Sequence, residues 1–194
     1  MNYSFNRNRE GVVFAGAKDL NASHKDLCAV GDAIRYKRVS EAMKVLDGVI
    51  TGGRPILYVR HNKYMGSRHE LGGKKGKFPI KCAGMVRKVL VNAAANAAAK
   101  GLDADSMYVI HYSANKTIII RRGPSKGTAF YGRGMYGRGS YRRSDLELAK
   151  VEIGLAKDLE PMSTNVQNLV KRAEKVPKRR NAAKKEKVAI KAKA

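Results

Sequence analysis

The sequence contains no tryptophan and two cysteines, and each scarcity excludes a class of site. The low aromatic content argues against a large apolar ligand pocket, because such pockets are lined by apolar and aromatic side chains. Cys28 and Cys82 lie among apolar residues in helical patterns. A reduced thiol in that setting acts as a small hydrophobic side chain, so we expect neither a disulfide nor a zinc site.

Long apolar runs are absent as well. No stretch approaches the roughly 18 apolar residues that a membrane-spanning helix needs, and the polar start MNYSFNRNRE has no signal-peptide segment. We therefore expect a cytoplasmic protein with no membrane partner.

Acidic residues are few: 16 Asp and Glu stand against 40 Lys and Arg, which gives a formal charge of +24. A small protein with this charge is drawn to a polyanion, either nucleic acid or an acidic membrane surface. Its 194 residues suit one domain of ordinary size with extensions.

The lack of carboxylates is most extreme between residues 107 and 143, which contain no Asp or Glu and a charge of +8. The basic residues are Lys116, Arg121, Arg122, Lys126, Arg133, Arg138, Arg142 and Arg143. Tyr131, Tyr136 and Tyr141 recur among them in a Tyr-Gly-Arg repeat of period five. Because tyrosine stacks on unpaired bases and arginine binds phosphate, we predict that these eleven residues contact RNA. A flexible solubilising loop would have no need to exclude every carboxylate.

A second basic segment, residues 54–78, has seven Lys or Arg and one Glu. We expect a basic loop that does not fold onto itself, and we predict RNA contacts from Arg60, His61, Asn62, Lys63, Arg68, Lys74, Lys75 and Lys77. His61 and His69 lie beside basic residues, where a histidine favours phosphate or solvent over a metal. The run GGKKGK lacks the glycine spacing of a nucleotide-binding loop, so no cofactor is expected.

Periodicity predicts an α+β fold of three helices on a small antiparallel sheet. A first helix of about four turns follows Ser23, a second begins with Ser40 as its cap, and a third begins near Pro79 and ends at Gly101. Val12 to Ala15 predict a short strand.

Two further strands predict a long antiparallel hairpin over residues 107–155, with roughly 30 Å of reach if about ten residues per arm project at about 3.3 Å each. In the first strand the even positions are expected to share one face. They are Tyr108, Ile110, Tyr112, Ala114, Ile118 and Ile120. In the second strand we expect Ala149, Val151, Ile153 and Leu155 to point inward and Lys150 and Glu152 outward.

Three regions follow from these patterns. Residues 1–10 form a polar N-terminal arm, residues 11–156 form an RNA-binding domain, and residues 157–194 form a basic extension with little to bury. An enzyme would need convergent acid, base or metal groups, whereas the carboxylates here are scattered over caps, turns and helix faces. We therefore expect no catalytic role.

The residues in their order resemble the large-subunit ribosomal protein twenty-two family in its archaeal and eukaryotic form. The resemblance covers roughly residues 10 to 156 and is carried by AIRYKRVSEAMKVLDGVI, YVRHNKYMG, the stretch from GKFPIKC to HYSANK, and AKVEIGL. Its most specific parts are Arg60 to Lys63, Asn92 to Asn96, and the turn Gly101-Leu102-Asp103.

This resemblance implies a structural component of the large ribosomal subunit. Its implied partners are large-subunit rRNA, other large-subunit proteins and, at a hairpin tip within Gly123 to Tyr141 that lines the exit tunnel, the nascent peptide. No homo-oligomer is expected. The chain departs from the family at this tip, where GPSKGTA and the YGRG repeat replace the usual Pro-Arg-Ala and Gly-Arg-Ala runs.

Two alternatives are a free RNA-binding or RNA-annealing factor, which could use the same repeat and tail, and an RNA-processing enzyme. Stable residence on large subunits distinguishes the ribosomal hypothesis from the first. A clustered carboxylate or histidine site would be required for the second.

Overall fold

The computed structural model describes residues 3–5, 11–120 and 146–157. This part of the chain contains three helices and two three-stranded antiparallel sheets, so the predicted α+β class is confirmed. In chain order the elements are β1 (Val13–Asn21), α1 (His24–Ile34), α2 (Val39–Ile50), β2 (Ile56–Leu57), β3 (Ser67–Arg68), a 3-10 turn (His69–Leu71), β4 (Lys74–Lys77), α3 (Ile80–Ala99), β5 (Tyr108–Ile120) and β6 (Leu146–Ala156).

The main sheet has the order β1-β6-β5, with β6 antiparallel to both neighbours. The side chains predicted to point inward from β6 are fully buried in the hydrophobic core: Ala149, Val151, Ile153 and Leu155. The same core contains buried residues of all three helices, which cover this face of the sheet. Leu27, Leu46 and Leu90, one from each helix, are completely inaccessible to solvent.

The helices begin and end close to the predicted positions, but their caps differ. Arg38, and not Ser40, is the N-cap of α2, and Ser23 is the N-cap of α1 without a side-chain hydrogen bond. Helix α1 has 11 residues and is therefore nearer three turns than four. Gly101 follows α3 with φ of 72°, a left-handed conformation that glycine adopts without a steric penalty.

A bulge in β5 changes which residues share a face. Val109 lies opposite Leu155 and His111 lies opposite Gly154, so Ile110 is an extra residue in the ladder. Tyr112 therefore faces the helices, whereas Ile110 belongs to a second apolar cluster. The prediction that all even positions share one face was wrong, because one inserted residue reverses the alternation.

The second apolar cluster lies under the start of the chain. Phe5 is buried together with Val12 and Ile110, and Tyr3 stacks on Phe14 with ring centroids 4.8 Å apart. Residues 3–5 thus cover the face of the sheet opposite the helices.

Glu152 points away from the inward face of β6, as expected, but the start of the chain covers it there. Its side chain is 1% exposed and accepts hydrogen bonds from the Ser4 backbone N–H at 2.8 Å and the Ser4 hydroxyl at 2.7 Å. Lys150 pairs with its other carboxylate oxygen. Burial alone would raise the pKa of Glu152, but the hydrogen bonds from Lys150 and Ser4 outweigh burial and hold this pKa at about 2.

Both cysteines are free thiols. Cys28 donates to the carbonyl oxygen of Ala114 at 3.4 Å, and Cys82 lies in the core. Burial raises the pKa of Cys82 to about 11, so this thiol remains protonated at neutral pH. Within the described residues, no helix combines the length and apolar character needed to cross a membrane.

The paired strands of the hairpin continue past the core. β5 and β6 pair from Tyr108 opposite Ala156 to Ile120 opposite Leu146. From Asn115 to Ile120 every residue of β5 is exposed, so none of the helices in the described residues covers this end of the ladder. The proposed tip within residues 123–141 lies outside the described residues, and its reach stays a prediction.

Candidate nucleic-acid interface

The basic segment 54–78 folds into a small sheet, and the expectation that it would not fold onto itself was wrong. β4 lies in the middle and pairs with β2 on one side and β3 on the other. Because β2 and β3 are both antiparallel to β4, they run parallel to each other. Residues 59–65, named here the crossover loop, must therefore pass across β4 to join them.

Close packing explains how so polar a segment becomes ordered. A Cβ added at Gly76 in β4 would lie 2.4 Å from Leu71 Cδ1 and 2.6 Å from the carbonyl oxygen of Ile56, so only glycine fits at this position. Gly76 also donates its backbone N–H to Gly66 O at 3.3 Å.

Tyr58 joins this sheet to the core. It is 2% exposed, and its hydroxyl donates to Asp26 Oδ1 of α1 at 2.9 Å. Lys77 Nζ lies 2.7 Å from the same oxygen and 5.3 Å from the centre of the Tyr58 ring. Burial, followed by the charge and hydrogen bond of Asp26, raises the pKa of Tyr58 well above its ordinary value. The tyrosine is therefore a neutral anchor.

The crossover loop has a constrained backbone. His61 and Tyr64 have φ of 56° and 59°, a left-handed conformation that costs non-glycine residues about 1–2 kcal/mol each. The Asn62 side-chain amide holds the loop by donating to the carbonyl oxygens of Tyr58 at 3.1 Å and Val59 at 3.3 Å. Asn62 was predicted to bind RNA, and in the structure its amide nitrogen donates to the backbone of the crossover loop instead.

Several predicted RNA-binding side chains have partners within the described part of the chain. Arg68 donates to Gly76 O at 3.1 Å and stacks over Phe78, and Lys116 pairs with Glu147 at 3.0 Å. Arg60 is mostly exposed and lies 3.5 Å from Asp32. Among the predicted residues with an ion pair, Lys77 has the shortest one, so its cation is the least available to a phosphate.

Other predicted residues extend into solvent. His61, Lys63, Lys74 and Lys75 are exposed, and no ion pair within the described ranges involves them. The crossover loop carries the first two, and the strand it crosses carries the others. The structure therefore places four exposed cationic or imidazole side chains, each without an ion pair in the described residues, on one small sheet and its loop.

The remaining predicted residues lie outside the described residues. They are Arg121, Arg122, Lys126, Tyr131, Arg133, Tyr136, Arg138, Tyr141, Arg142 and Arg143.

Sequence reasoning missed Tyr64. Its side chain is fully exposed at the end of the crossover loop, directly after Lys63. The segment contains Tyr58 and Tyr64, and periodicity could not show that the first is an anchor and the second is exposed. An aromatic residue preceded by Lys63 and followed by Met-Gly was the available signal.

Five of the ten carboxylates in the described part are paired with cations. Ion pairs within 4 Å are formed by Asp26, Asp32, Asp47, Glu147 and Glu152. The hydrogen bond from Lys116 lowers the pKa of Glu147, so that pair remains charged in mildly acidic solution. Among the residues that the structure describes, no group of three metal-ligating side chains comes together. Cations thus remain in excess on the surface.

Fold and surface together define a small basic α+β protein whose cations are held on an ordered scaffold. Residues 15–149 match the model of the family described as Ribosomal protein L22p/L17e. The chain belongs to the Ribosomal protein L22p/L17e family.

Archaeal relatives support this assignment. The chain is 35% identical over 123 residues to the large ribosomal subunit protein uL22 of Methanocaldococcus jannaschii, covering 63% of this chain and 79% of the relative. It is 34% identical over 125 residues to uL22 of Staphylothermus marinus, covering 62% and 80% of the two chains. With uL22 of Archaeoglobus fulgidus it shares 37% identity over 107 residues, or 54% and 68%.

Membership confirms the predicted family, the structural role in the ribosome and the absence of an enzymatic function. Proteins of this family are components of cytoplasmic ribosomes, as was also predicted. The RNA and the other proteins of the ribosome are accordingly the partners of the chain.

Proposed function

We propose that the chain is a structural constituent of the large ribosomal subunit that binds large-subunit rRNA and supports assembly of the subunit. The observation that carries this proposal is the exposed cation set of the crossover loop and β4, on a body in which half of the described carboxylates are paired with cations. Each phosphate contact by such a cation releases counterions, which favours binding to RNA.

Two surfaces share the binding in this proposal. The first comprises Arg60, His61, Lys63, Arg68, Lys74 and Lys75 on the small sheet, with Asn62 and Lys77 as supports of its shape. The second is the hairpin with its Lys116 end and the basic and aromatic residues between 121 and 143. The hairpin tip lines the exit tunnel and contacts the nascent peptide, as the family resemblance implies. Residues 11–156 form the RNA-binding domain, and residues 157–194 add a basic extension.

Sedimentation tests the assignment to the subunit. Tagged chain expressed in its own cells should co-sediment with large subunits at a ratio of one per particle and remain there at moderate salt. Release at moderate salt, or a distribution over many free RNAs, would favour a free RNA-binding or annealing factor instead.

Crosslinking tests the tunnel contact. A photoreactive group in place of Tyr131 or Tyr136 in intact ribosomes should join the chain to rRNA or to a stalled nascent peptide. Labelling of neither would remove the tunnel from the proposal and leave the rRNA-binding body untouched.

A further inference from the structure

Tyr64 has no role in the fold that the structure describes. Its ring is fully exposed, and its backbone holds a left-handed conformation that L-residues rarely adopt. A loop tip that only needed to turn would carry glycine or asparagine there at lower cost. Exposure of a large aromatic ring on a constrained backbone suggests a contact with something outside the chain.

The crossover loop holds the backbone that carries this ring. Asn62 binds the backbone at Tyr58 and Val59, and Met65 donates its N–H to Asn62 O at 3.3 Å. Tyr58 is in turn anchored to Asp26 of α1. The loop backbone is held on both sides of Tyr64. A ligand that stacks on the ring therefore costs little additional conformational entropy of the backbone.

The surroundings of the ring are basic. Arg60, His61 and Lys63 precede it in the loop, and Lys74 and Lys75 lie in the strand that the loop crosses. Residues 54–69 contain no carboxylate. An aromatic platform beside several cations fits a nucleotide with an unpaired base, whose ring stacks while its phosphates meet the cations. A protein partner would need acidic groups to match the same surface.

We propose that Tyr64 stacks on an unpaired base of large-subunit rRNA and that Lys63 and β4 hold the adjoining phosphates. This inference rests on the proposed function and adds to it a single-stranded element at the small sheet. Stacking is tolerant of base identity, so the site recognises an unstacked base and not a sequence.

Photocrosslinking of the full-length chain bound to large-subunit rRNA transcribed in vitro tests the contact. After irradiation at short wavelength and trypsin digestion, the peptide of residues 64–68 should carry a nucleotide adduct. Tyr36 is the matched internal control, because it also has a positive φ of 64° but is only partly exposed and lies beside Arg35. Its peptide should carry none.

Variants give the second measurement. Tyr64→Ala should weaken binding to the same RNA by roughly 5- to 150-fold, as expected for one stacked base, while Tyr64→Phe binds as the natural chain does. The salt dependence of binding should not change in either variant, because the ring carries no charge.

Unchanged affinity of Tyr64→Ala, with the natural chain still binding RNA in a salt-dependent manner, would overturn the stacking contact and leave the proposed function standing. An adduct to a neighbouring ribosomal protein in intact subunits would overturn it in favour of a protein interface. Failure of the natural chain to bind the RNA at all would overturn both.

Discussion

At the scale of single residues, Gly31 lies so close to the Tyr112 ring that no larger side chain fits between them. A Cβ added at Gly31 would lie 2.0 Å from the Tyr112 ring, far inside van der Waals distance. Tyr112 cannot move away easily, because it is buried and its hydroxyl donates to Leu27 O at 2.9 Å. The glycine in α1 thus provides the space for the aromatic ring of β5.

We therefore expect Gly31→Ala to destabilise the fold by about 1–3 kcal/mol or more, despite the better helix propensity of alanine. Urea unfolding followed by circular dichroism measures the change. The result would contradict the packing described here if the variant were as stable as the natural chain.

Gly84→Ala is the matched control for that experiment. Gly84 also lies inside a helix, α3, and a Cβ added there meets nothing within 4 Å. Alanine should leave stability unchanged or raise it by up to about 1 kcal/mol, because it reduces the freedom of the unfolded chain.

The buried Glu152 is a second feature of single residues with a measurable consequence. Its pKa of about 2 in the folded state lies below the ordinary value of 4.5. A carboxyl whose pKa is lowered by folding stabilises the fold above its unfolded pKa, and this stabilisation disappears as the pH falls through the folded value.

Stability should therefore decrease as the pH falls from about 4.5 toward about 2, in part because Glu152 becomes protonated and Ser4 loses its acceptor. Glu152→Gln should be less stable at neutral pH and should show a flatter decline over that range. Thermal unfolding at several pH values measures both. An equally steep decline in the variant would assign the acid sensitivity to other carboxyl groups.

At the scale of elements, the small sheet depends on its anchor more than on its own hydrogen bonds. β2 and β3 have two residues each, and two-residue strands alone are not stable in water. The contacts of Tyr58 and of Lys77 with Asp26 attach this sheet to α1.

Tyr58→Phe should cost about 1–2 kcal/mol, because the hydroxyl that donates to a carboxylate is lost while Lys77 still compensates Asp26. Amide hydrogen exchange should increase in residues 56–77 more than in α3. Tyr64→Phe removes an exposed hydroxyl in the same segment and should change neither quantity. Uniform faster exchange throughout the chain would argue against a local anchor.

Periodicity was sufficient to predict the long elements and the buried face of β6, and insufficient to predict local irregularities and contacts between distant residues. Helix α3 and the inward side of β6 follow from regular spacing of apolar residues, because burial of one face dominates their energetics. The bulge at Ile110 reverses a face without any sequence signal of its own. Glu152 and Tyr58 are buried through partners distant in sequence, Ser4 and Asp26, which no local pattern reveals.

The same limit applies to the candidate interface. The excess of cations in residues 54–78 could be counted, and exposure of Lys63, Lys74 and Lys75 followed from it. Which basic residue would be occupied by a carboxylate could not be predicted, because the pairing of Lys77 with Asp26 depends on where β4 meets α1.

At the scale of the whole molecule, the net charge of +24 is the property that the ribosome must compensate. In the proposed function, the exposed lysines of the small sheet and the arginines between 121 and 143 supply the charge that binds RNA. Affinity for RNA should accordingly depend steeply on salt.

Replacing the six hairpin arginines by glutamine should reduce the slope of log affinity against log salt by roughly 0.7 to 0.9 for each phosphate contact that is lost. The substituted positions are Arg121, Arg122, Arg133, Arg138, Arg142 and Arg143. Filter binding at several salt concentrations measures the slope, with Lys44→Gln and Lys88→Gln on exposed helix positions of α2 and α3 as the charge control. A slope unaffected by the six substitutions would place the hairpin away from RNA.

The central position of β6 in the main sheet also governs when the protein can fold. Among the described strands, β1 and β5 each pair with β6, which follows both of them in the chain. During synthesis the helices and the first strand therefore leave the ribosome before β6 can complete the sheet, and the side chains that pack against β6 lack this cover until residue 156 has emerged. The nascent chain must remain soluble through this interval, and its high positive charge suits it for that delay.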